Sequence, residues 1–283
     1  MKNYVFGDTG GHGFTLLQGL RDIGLNMETL KLPEDVRVIH LGDLIHKGPT
    51  SEDILAMVDG IMKVNGDNWL QLLGNHEFQH IKGSPYFWRC DCSTEAKELI
   101  NHWWDTKKAL AAFGLPGFTS LKPGTSLKPK FTVPDKGLLF THAGVTRQFW
   151  TGRDSIADPV VFADLINASS VKIITRPGIM LANPYKTNIN PGPVWALASD
   201  EVFNSWTDTD MPFIQVHGHT TPYGWMYKKW FPNTSKWFRD STTLNVDDRI
   251  SITEVANSLL LGVDPGFSQR VDLAAQPHLY FES

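Results

Sequence analysis

Five short apolar segments, spread over most of the chain, each end in a glycine beside an aspartate, an asparagine or a histidine. The segments are residues 3–7, 36–41, 68–73, 138–141 and 213–217, and each has the length and composition of a buried strand. In open α/β sheets the carboxyl ends of the strands line one crevice. The sequence therefore predicts that these polar residues converge in space, although they lie far apart in the chain.

The residues between these segments predict helices and a further group of strands. Helical patterns at 13–23 and 51–62 alternate with the first three strands, which favours βαβ units and a parallel sheet with helices outside it. We therefore predict an α/β fold, and we expect one domain over residues 1–283 because no shift in composition marks a boundary. The other predictions are helices at 94–113 and 158–168, turn-rich stretches at 114–137 and 171–193, and antiparallel strands at 241–246, 251–255 and 258–263.

The composition is that of a globular protein. Lys and Arg number 26 against 30 Asp and Glu, a formal net charge of −4, and 41% of the 283 residues are hydrophobic. A disordered chain would combine low hydrophobicity with high net charge. A basic footprint for nucleic acid is also missing, so the sequence gives no strong nucleic-acid signal.

The two cysteines and the N-terminal segment favour a reducing, cytoplasmic setting. Cys90 and Cys92 are too close for an easy disulfide, and without a second pair they exclude a zinc site of the finger or ribbon kind. The first ten residues lack the long apolar region of a signal peptide. No run of about 18 apolar residues occurs, so we expect no membrane partner.

The residue types at the strand ends suit a pair of transition metals. Asp, Asn and His supply oxygen and nitrogen ligands, which fit manganese, iron, zinc or nickel better than calcium. Six of the ten histidines lie at or just after the ends of these five segments, which is more than one metal needs; they are His12, His46, His76, His142, His217 and His219. A carboxylate such as Asp43 can bridge two ions about 3.5–4 Å apart, which then activate a water for in-line attack on phosphorus. We therefore predict two divalent transition-metal ions, with manganese as the first choice.

Each of these residues, taken alone, also has a structural explanation. A single aspartate at a strand end often caps a helix, and a single histidine is often a half-buried packing residue. Five independent caps would not favour histidine, nor the sequence Asn-His-Glu at residues 75–77. Asp43 precedes two apolar residues, and no helix is predicted before Ser51, so capping does not explain it.

The motif order resembles that of the calcineurin-like metallophosphoesterases, most closely the phosphoprotein-phosphatase branch with its bacterial and phage members. The matching blocks are Gly7-Asp8, Gly42-Asp43, Gly74-Asn75-His76-Glu77, Thr141-His142-Ala143-Gly144 and Gly218-His219-Thr220. They span residues 7–220, and two GD blocks followed by GNHE form a highly specific combination. The resemblance implies a four-layer α/β/β/α sandwich with a dinuclear metal centre. It also implies a phosphomonoesterase, for example one that acts on phosphoserine or phosphothreonine in proteins.

The resemblance implies a role for each matching residue. Asp8 and Asp43 would hold the first metal. The ligands of the second metal would be Asp43, Asn75, His142 and His219. His76 would lie outside the metals and protonate the leaving group, a role that an imidazole can fill near neutral pH.

Three positions depart from the family pattern, and the first concerns His12. The family usually has GDxHG, but Gly10 stands at the histidine position and the nearest histidine is His12. Because a metal site needs geometry rather than a fixed spacing, we predict that His12 is a ligand of the first metal. The competing interpretation is that His12 only begins the helix at residue 13.

The second departure follows Asp43. Where the family has GDxxDRG, His46 replaces the aspartate that orients the catalytic histidine, and Lys47 replaces the arginine that binds phosphate. Lys47 can hold phosphate as a point charge without the bidentate fork of arginine; the competing interpretation is a solvated turn residue. A contact between His46 and His76 would make the proton donor more acidic if both rings were protonated.

The third departure is Leu197, which stands where the bacterial GPxWxR segment places a phosphate-binding arginine. Candidates to replace that arginine are Arg147, Arg153 and Arg176. Each of them also has the simpler explanation of a surface charge. His217 shares a strand face with His219, and it is either a metal ligand, a supporting residue or simply buried.

Other functions stay open at this point. The residues also suit a nucleotide or dinucleotide polyphosphate hydrolase, in which Trp195 would stack on a base. The altered second block would suit a phosphate-binding regulatory module with impaired catalysis. The glycine-rich turn at 7–13 does not complete G-x-G-x-x-G and no P-loop motif occurs, which excludes dehydrogenases and P-loop enzymes. Substrate choice should depend on loops near 80–95, 114–135 and 171–193.

Overall fold

Two six-stranded sheets form the centre of this computed structural model, which describes residues 1–84, 91–117, 120–122, 135–181, 190–267 and 272–283. The strands are β1 (Lys2–Phe6), β2 (Val36–His40), β3 (Trp69–Leu72), β4 (Ala109–Leu110), β5 (Ala112–Leu115), β6 (Ser120–Lys122), β7 (Leu138–Thr141), β8 (Ile214–His217), β9 (Tyr223–Gly224), β10 (Lys229–Trp230), β11 (Thr242–Asn245), β12 (Ile250–Val255), β13 (Ser258–Gly262) and β14 (Leu279–Glu282). The first sheet has the order β4-β3-β2-β1-β14-β6 and the second β11-β12-β13-β8-β7-β5, while β9 and β10 form a separate pair.

The first sheet begins with the βαβ units that the sequence predicts. Strands β1 to β4 pair in parallel, each with the next. Strand β14 then pairs antiparallel with β1, with Glu282 opposite Lys2, and β6 pairs antiparallel with β14. Because three strands run side by side in parallel, the ends of β1, β2 and β3 lie at the same edge of this sheet.

The second sheet is mixed. Strands β7, β8 and β13 run parallel to one another, while β5 pairs antiparallel with β7. Strands β11, β12 and β13 form the antiparallel group predicted for residues 241–263. The parallel strands again place their carboxyl ends at one edge.

Helices cover the outer faces of the sheets. They are α1 (Gly13–Asp22), α2 (Ser51–Asn65), α3 (Asn75–Phe78), α4 (Thr94–Asp105), α5 (Arg147–Thr151), α6 (Pro159–Ala168), α7 (Val171–Ile174), α8 (Phe203–Trp206) and α9 (Lys236–Asp240), with a 3₁₀ turn at Gly66–Asn68 and a π-helical turn at Ala198–Val202. In the described part of the chain, we find no helix with the length and hydrophobicity of a membrane-spanning segment.

The core has two kinds of layer, because successive strand residues face opposite sides of a sheet. Val5 belongs to the cluster between the two sheets, where the rings of Phe140 and Phe281 stack with centroids 6.0 Å apart. The next residue, Phe6, belongs to the cluster beneath the helices together with Leu20 of α1. This alternation gives the α/β/β/α sandwich that the resemblance implied.

The predicted helix at 94–113 is wrong in its second half. Helix α4 ends at Asp105, and Lys107 adopts a left-handed backbone with φ of 60° that stops the helix. The apolar residues that follow form β4, beside β3, and β5, beside β7. A short apolar run has no decisive period, so pairing with existing strands determines its conformation.

Two further predictions need correction or completion. The sequence pattern predicts no element at residues 279–282, yet they form β14, which lies between β1 and β6 in the first sheet. The stretch 171–193 is not wholly irregular, since it begins with the short helix α7. Parts of the predicted substrate loops, at 85–90, 118–119, 123–134 and 182–189, lie outside the described residues.

Candidate metal centre

The ends of five strands bring the predicted site residues to the edge where the two sheets meet. Asp8, Asp43 and Asn75 follow β1, β2 and β3 of the first sheet, whereas His142 and His219 follow β7 and β8 of the second. The two sets contact each other: Asp43 lies against His142, and the backbone N–H of His219 donates to Oδ1 of Asp8 at 2.8 Å. The site is therefore built from both sheets.

Asp43, His142 and His219 form a compact group, with one ligand atom of each lying within 4.8 Å of the others. Nε2 of His142 lies 3.3 Å from Oδ1 of Asp43 and 2.9 Å from Oδ1 of Asn75. Nδ1–H of His142 donates to the carbonyl of Leu41 at 2.9 Å, which in a neutral ring leaves the lone pair on Nε2. Nε2 of this neutral ring and the Oδ1 atoms of Asp43 and Asn75 are then acceptors that face one another. A backbone carbonyl holds the ring in place, as it does in metal-binding histidines.

Two histidine nitrogens at the site are buried without a hydrogen-bond partner among the described residues. They are Nε2 of His219 and Nε2 of His12. Burial lowers the pKa of both imidazoles, so both rings are neutral at neutral pH and keep a lone pair. Because buried polar atoms normally have partners, these two nitrogens fit the role of metal ligands.

His12 lies at the start of α1 and outside the group formed by Asp43, His142 and His219. It occupies the N-cap position, as the competing interpretation states, but its side chain makes no capping hydrogen bond. Its ring instead packs edge-on against Phe267, with centroids 6.2 Å apart. The role of His12 as a metal ligand stays a prediction.

Three buried carboxylates, those of Asp8, Asp43 and Asp264, lie close together at this edge. Burial raises the pKa of Asp8 well above its usual value, and the charges of Asp264 and Asp43 raise it further. Buried carboxylates stay ionised only beside positive charge, which again fits a metal centre. Sequence analysis missed Asp264. It follows β13, which runs parallel to β8, so the same strand-end pattern could have identified it.

The loop after β2 has a strained backbone. Asp43, His46 and Lys47 adopt positive φ angles of 53°, 69° and 68°, a region that residues with a Cβ atom rarely occupy. Such strain concentrates at functional sites. Gly74 packs so tightly against this loop that a Cβ on it would lie 2.0 Å from Oδ1 of Asp43, which explains the glycine.

Glu77 holds this loop in place. Its fully buried carboxylate accepts hydrogen bonds from the backbone N–H groups of Asp43, Leu44, Ile45 and Gly74 at 2.8–3.1 Å. Burial and the Asp43 carboxylate raise the pKa of Glu77 to about 7, while these donors act in the opposite direction. Sequence analysis gave Glu77 no role, although it is part of the GNHE block.

Replacing Glu77 with glutamine should lower the free energy of unfolding by about 2–4 kcal/mol. Each oxygen of Glu77 accepts hydrogen bonds from two backbone N–H groups. In glutamine an amide nitrogen, which cannot accept, replaces one of these oxygens, so two backbone N–H groups lose their partner. A buried donor without a partner costs about 1–3 kcal/mol. Urea unfolding measures the change, with the exposed Glu95→Gln on α4 as the control. A change below about 0.5 kcal/mol, typical of surface positions, would contradict this role.

The predicted contact between His46 and His76 is present. Their Nδ1 atoms lie 2.7 Å apart, and Nε2 of Gln79 lies 3.1 Å from Nδ1 of His46. Because the amide nitrogen of Gln79 can only donate, Nδ1 of His46 accepts, and Nδ1–H of His76 donates to it. Burial lowers the pKa of His76 to about 4 and that of His46 to about 3, so both rings are neutral at neutral pH.

Lys47 lies at the exposed side of the site, next to its carboxylates. Partial loss of solvation at the ammonium lowers the pKa of Lys47. The negative charges of Asp43 and Asp8 raise the pKa by more, so the pKa is raised on balance. Lys47 is exposed, so the interpretation as a solvated turn residue stays open as well. Its role in phosphate binding stays a prediction.

The structure provides no arginine at the position of Leu197, and two of the three candidates have partners elsewhere. Nη1 of Arg153 donates to the carbonyl of Phe149, on the preceding helix α5, at 2.8 Å. Nη1 of Arg176 donates to the carbonyl of Asn190 at 2.9 Å. Neither bond points to phosphate binding.

His217 and Trp195 are buried residues next to the site. Nδ1–H of His217 donates to the carbonyl of Gly218 at 3.0 Å, and its ring packs against Gly262 of β13, which makes it a buried supporting residue. Trp195 is 3% exposed and meets His219 edge-on with ring centroids 5.6 Å apart. The expectation that Trp195 stacks on a base is not supported, because its ring is buried.

Comparison with known proteins agrees with this geometry. The family model for calcineurin-like phosphoesterases matches residues 1–251. The chain belongs to this family of metal-dependent hydrolases. A search of curated proteins gives no significant match.

The solved structures that the comparison found have low identity to this chain. A putative diadenosine tetraphosphatase is 14% identical over 94% of this chain and 83% of its own, with a TM-score of 0.42. A cold-active protein tyrosine phosphatase is 12% identical over 95% of this chain and 71% of its own, with a TM-score of 0.48. The cold-active protein-tyrosine phosphatase of a psychrophile, Shewanella sp., is 14% identical over 95% and 78%, with a TM-score of 0.44. At these values the likenesses carry no argument about the substrate.

Proposed function

We propose that the protein hydrolyses a phosphomonoester with two divalent metal ions, and that phosphoserine or phosphothreonine in proteins is the first substrate class to examine. The position of Asp43 carries the proposal. Its Oδ1 lies 3.3 Å from Nε2 of His142, and its Oδ2 lies 3.7 Å from Nε2 of His76. One carboxylate thus faces a candidate metal ligand on one side and the candidate proton donor on the other.

The ligands divide into two sets that share Asp43. Asp8 and His12 would complete the first set, and the second would be completed by Asn75, His142 and His219. When bound, two divalent ions lower the pKa of a coordinated water and polarise the phosphoryl oxygens. The nitrogen and oxygen donors fit manganese first, with iron, zinc and nickel as alternatives.

The remaining residues act on the substrate itself. Because Nδ1–H of His76 donates to His46, the neutral ring has no proton on Nε2, and His76 would act as the acid only after taking up a second proton there. The negative charge of a bound phosphate would favour that protonated form. Lys47, beside the carboxylates at the exposed side, would hold the phosphate as a single positive charge. His46 would act only through His76, as a positioning residue.

A hydrolysis assay with reconstituted metal tests the proposal. Protein stripped with a chelator receives manganese and then p-nitrophenyl phosphate or bis-p-nitrophenyl phosphate. We expect turnover of the monoester. Preference for the diester would redirect the proposal to nucleotide substrates. No turnover with manganese, iron, zinc or nickel, despite two bound metals per chain, would contradict it and favour a phosphate-binding module.

Replacing His46 with alanine should lower kcat about tenfold or more, the effect typical of losing a group that orients an active-site histidine. His46→Asp should restore most of the rate, because a carboxylate also accepts from Nδ1–H of His76. In a His76→Ala background the His46→Ala change should have no further effect, since interacting residues are not additive. Equal loss in both backgrounds, measured as kcat, would show that His46 does not act through His76.

A further inference from the structure

A second group of metal-type side chains lies beside the candidate centre. His80, Asp91 and Cys92 each offer one ligand atom, and the three atoms lie within 4.8 Å of one another. His80 comes just after α3, and the other two residues come just before α4. None of the three belongs to the ligand sets assigned above.

Hydrogen bonds to α4 hold the backbone on both sides of this group. Nδ2 of Asn101, on α4, donates to the carbonyl of His80 at 2.9 Å. On the other side, Ser93 caps α4 by accepting from the N–H of Ala96, so the backbone next to Cys92 is fixed. The arrangement is therefore set by the fold and does not depend on a chance contact of surface side chains.

The carboxylate of Asp91 is oriented as well. Its Oδ1 accepts from the N–H of Cys92 at 3.0 Å and pairs with Nζ of Lys97 at 2.7 Å. Both contacts use the same oxygen of Asp91. The carboxylate is ionised, because the hydrogen bond from Lys97 lowers the pKa of Asp91.

We propose that His80, Asp91 and Cys92 bind a zinc ion. Imidazole nitrogen, thiolate sulfur and carboxylate oxygen are the three donor types that zinc accepts, whereas hard ions such as manganese disfavour sulfur. Three protein ligands leave the fourth tetrahedral position to water. Cys92 supplies a sulfur donor that the dinuclear set lacks, so the two sites differ in metal preference.

In the absence of metal, Cys92 is not a reactive thiolate. Burial raises the pKa of the Cys92 thiol to about 11, so without metal it stays protonated and unreactive at neutral pH. On binding, the S–H bond breaks, the sulfur electron pair forms the bond to zinc, and the proton leaves to solvent. No electron transfer is involved.

The zinc site would lie close to the proton donor without being part of it. Nε2 of His80 lies 3.3 Å from Nε2 of His46, which in turn contacts His76. Bound zinc would therefore fix the ring of His80 behind the His46–His76 pair. This places a structural ion next to the residues that orient the proton donor.

Cobalt is the probe, because a thiolate bound to Co²⁺ gives a near-ultraviolet charge-transfer absorption and the dinuclear ligands contain no sulfur. Full-length protein stripped of metal is titrated with Co²⁺. We expect the absorption in the wild type and its loss in Cys92→Ser. His80→Asn should weaken the site at least about tenfold, since even supporting residues of metal sites contribute that much. Cys90→Ser and His102→Asn are the matched controls and should keep the absorption.

A second measurement on the wild type guards against variants that fail to fold. Zinc should slow alkylation of Cys92, followed by mass spectrometry of the peptide, by about tenfold or more. An absorption that survives Cys92→Ser, or is lost in Cys90→Ser, would overturn the proposal. So would the absence of both the absorption and the protection. These readouts do not depend on phosphatase activity, so the result stands whether or not the hydrolysis assay succeeds.

Discussion

Replacing Asp43 with asparagine should reduce kcat/KM for p-nitrophenyl phosphate at least about a thousandfold at saturating manganese. In the proposed function, Asp43 is the donor that both metals would share, and its Oδ1 lies 3.3 Å from Nε2 of His142, a proposed ligand of the second metal. Asparagine keeps the shape but removes the charge and one oxygen. Losing about 4 kcal/mol of metal-derived transition-state stabilisation corresponds to a rate loss of this size.

The matched control is Asp22→Asn, an exposed aspartate at the end of α1. It should retain the wild-type rate and metal content. Asp43→Asn should lose at least one metal per chain as well as activity. An Asp43→Asn protein that folds, binds two metals and turns over within about tenfold of wild type would contradict the bridging role.

Replacing His76 with alanine should slow the hydrolysis of a phosphoserine peptide about 10²–10⁴-fold, the usual contribution of a general acid. An alkoxide needs a proton to leave, whereas p-nitrophenolate leaves without one. The same change should therefore affect p-nitrophenyl phosphate much less. For each substrate, the kcat of the wild type is divided by the kcat of His76→Ala. Comparing the two quotients separates the effect on proton donation from effects on folding or metal binding, which would lower both rates alike.

The control for this change is His102→Ala, in the last turn of α4 and far along the chain from the site. It should leave both rates unchanged. If His76→Ala reduced the rates of both substrates by the same factor, His76 would support the metal or the fold instead of donating a proton. Metal content measured on the same samples would identify which of the two it supports.

The sequence was sufficient to predict the central architecture because the strand ends repeat one pattern. Asp8, Asp43, Asn75, His142 and His219 each follow a short apolar run, and parallel strands bring such ends to one edge. The family resemblance then supplied the second sheet and the layer order. Alternation of side chains along β1, with Val5 facing one cluster and Phe6 the other, is the physical basis of those layers.

What the sequence did not reveal depends on contacts between distant segments. Residues 279–282 form strand β14 because they pair with β1. The pattern of apolar residues within this short segment does not predict that pairing. Strands β4 and β5 replace the end of a predicted helix for the same reason. The roles of Asp264 and Glu77 depend on burial and on backbone donors that become visible only once the loops are folded.

The central claim is that two metal ions share Asp43, and electron paramagnetic resonance of manganese tests it most directly. Chelator-stripped protein would receive two equivalents of Mn²⁺ per chain. We predict the spectrum of an exchange-coupled pair, because ions bridged by one carboxylate lie about 3.5–4 Å apart, and its replacement in Asp43→Asn by the signal of isolated ions. A wild-type spectrum of isolated ions only, or binding of a single ion per chain, would contradict the account.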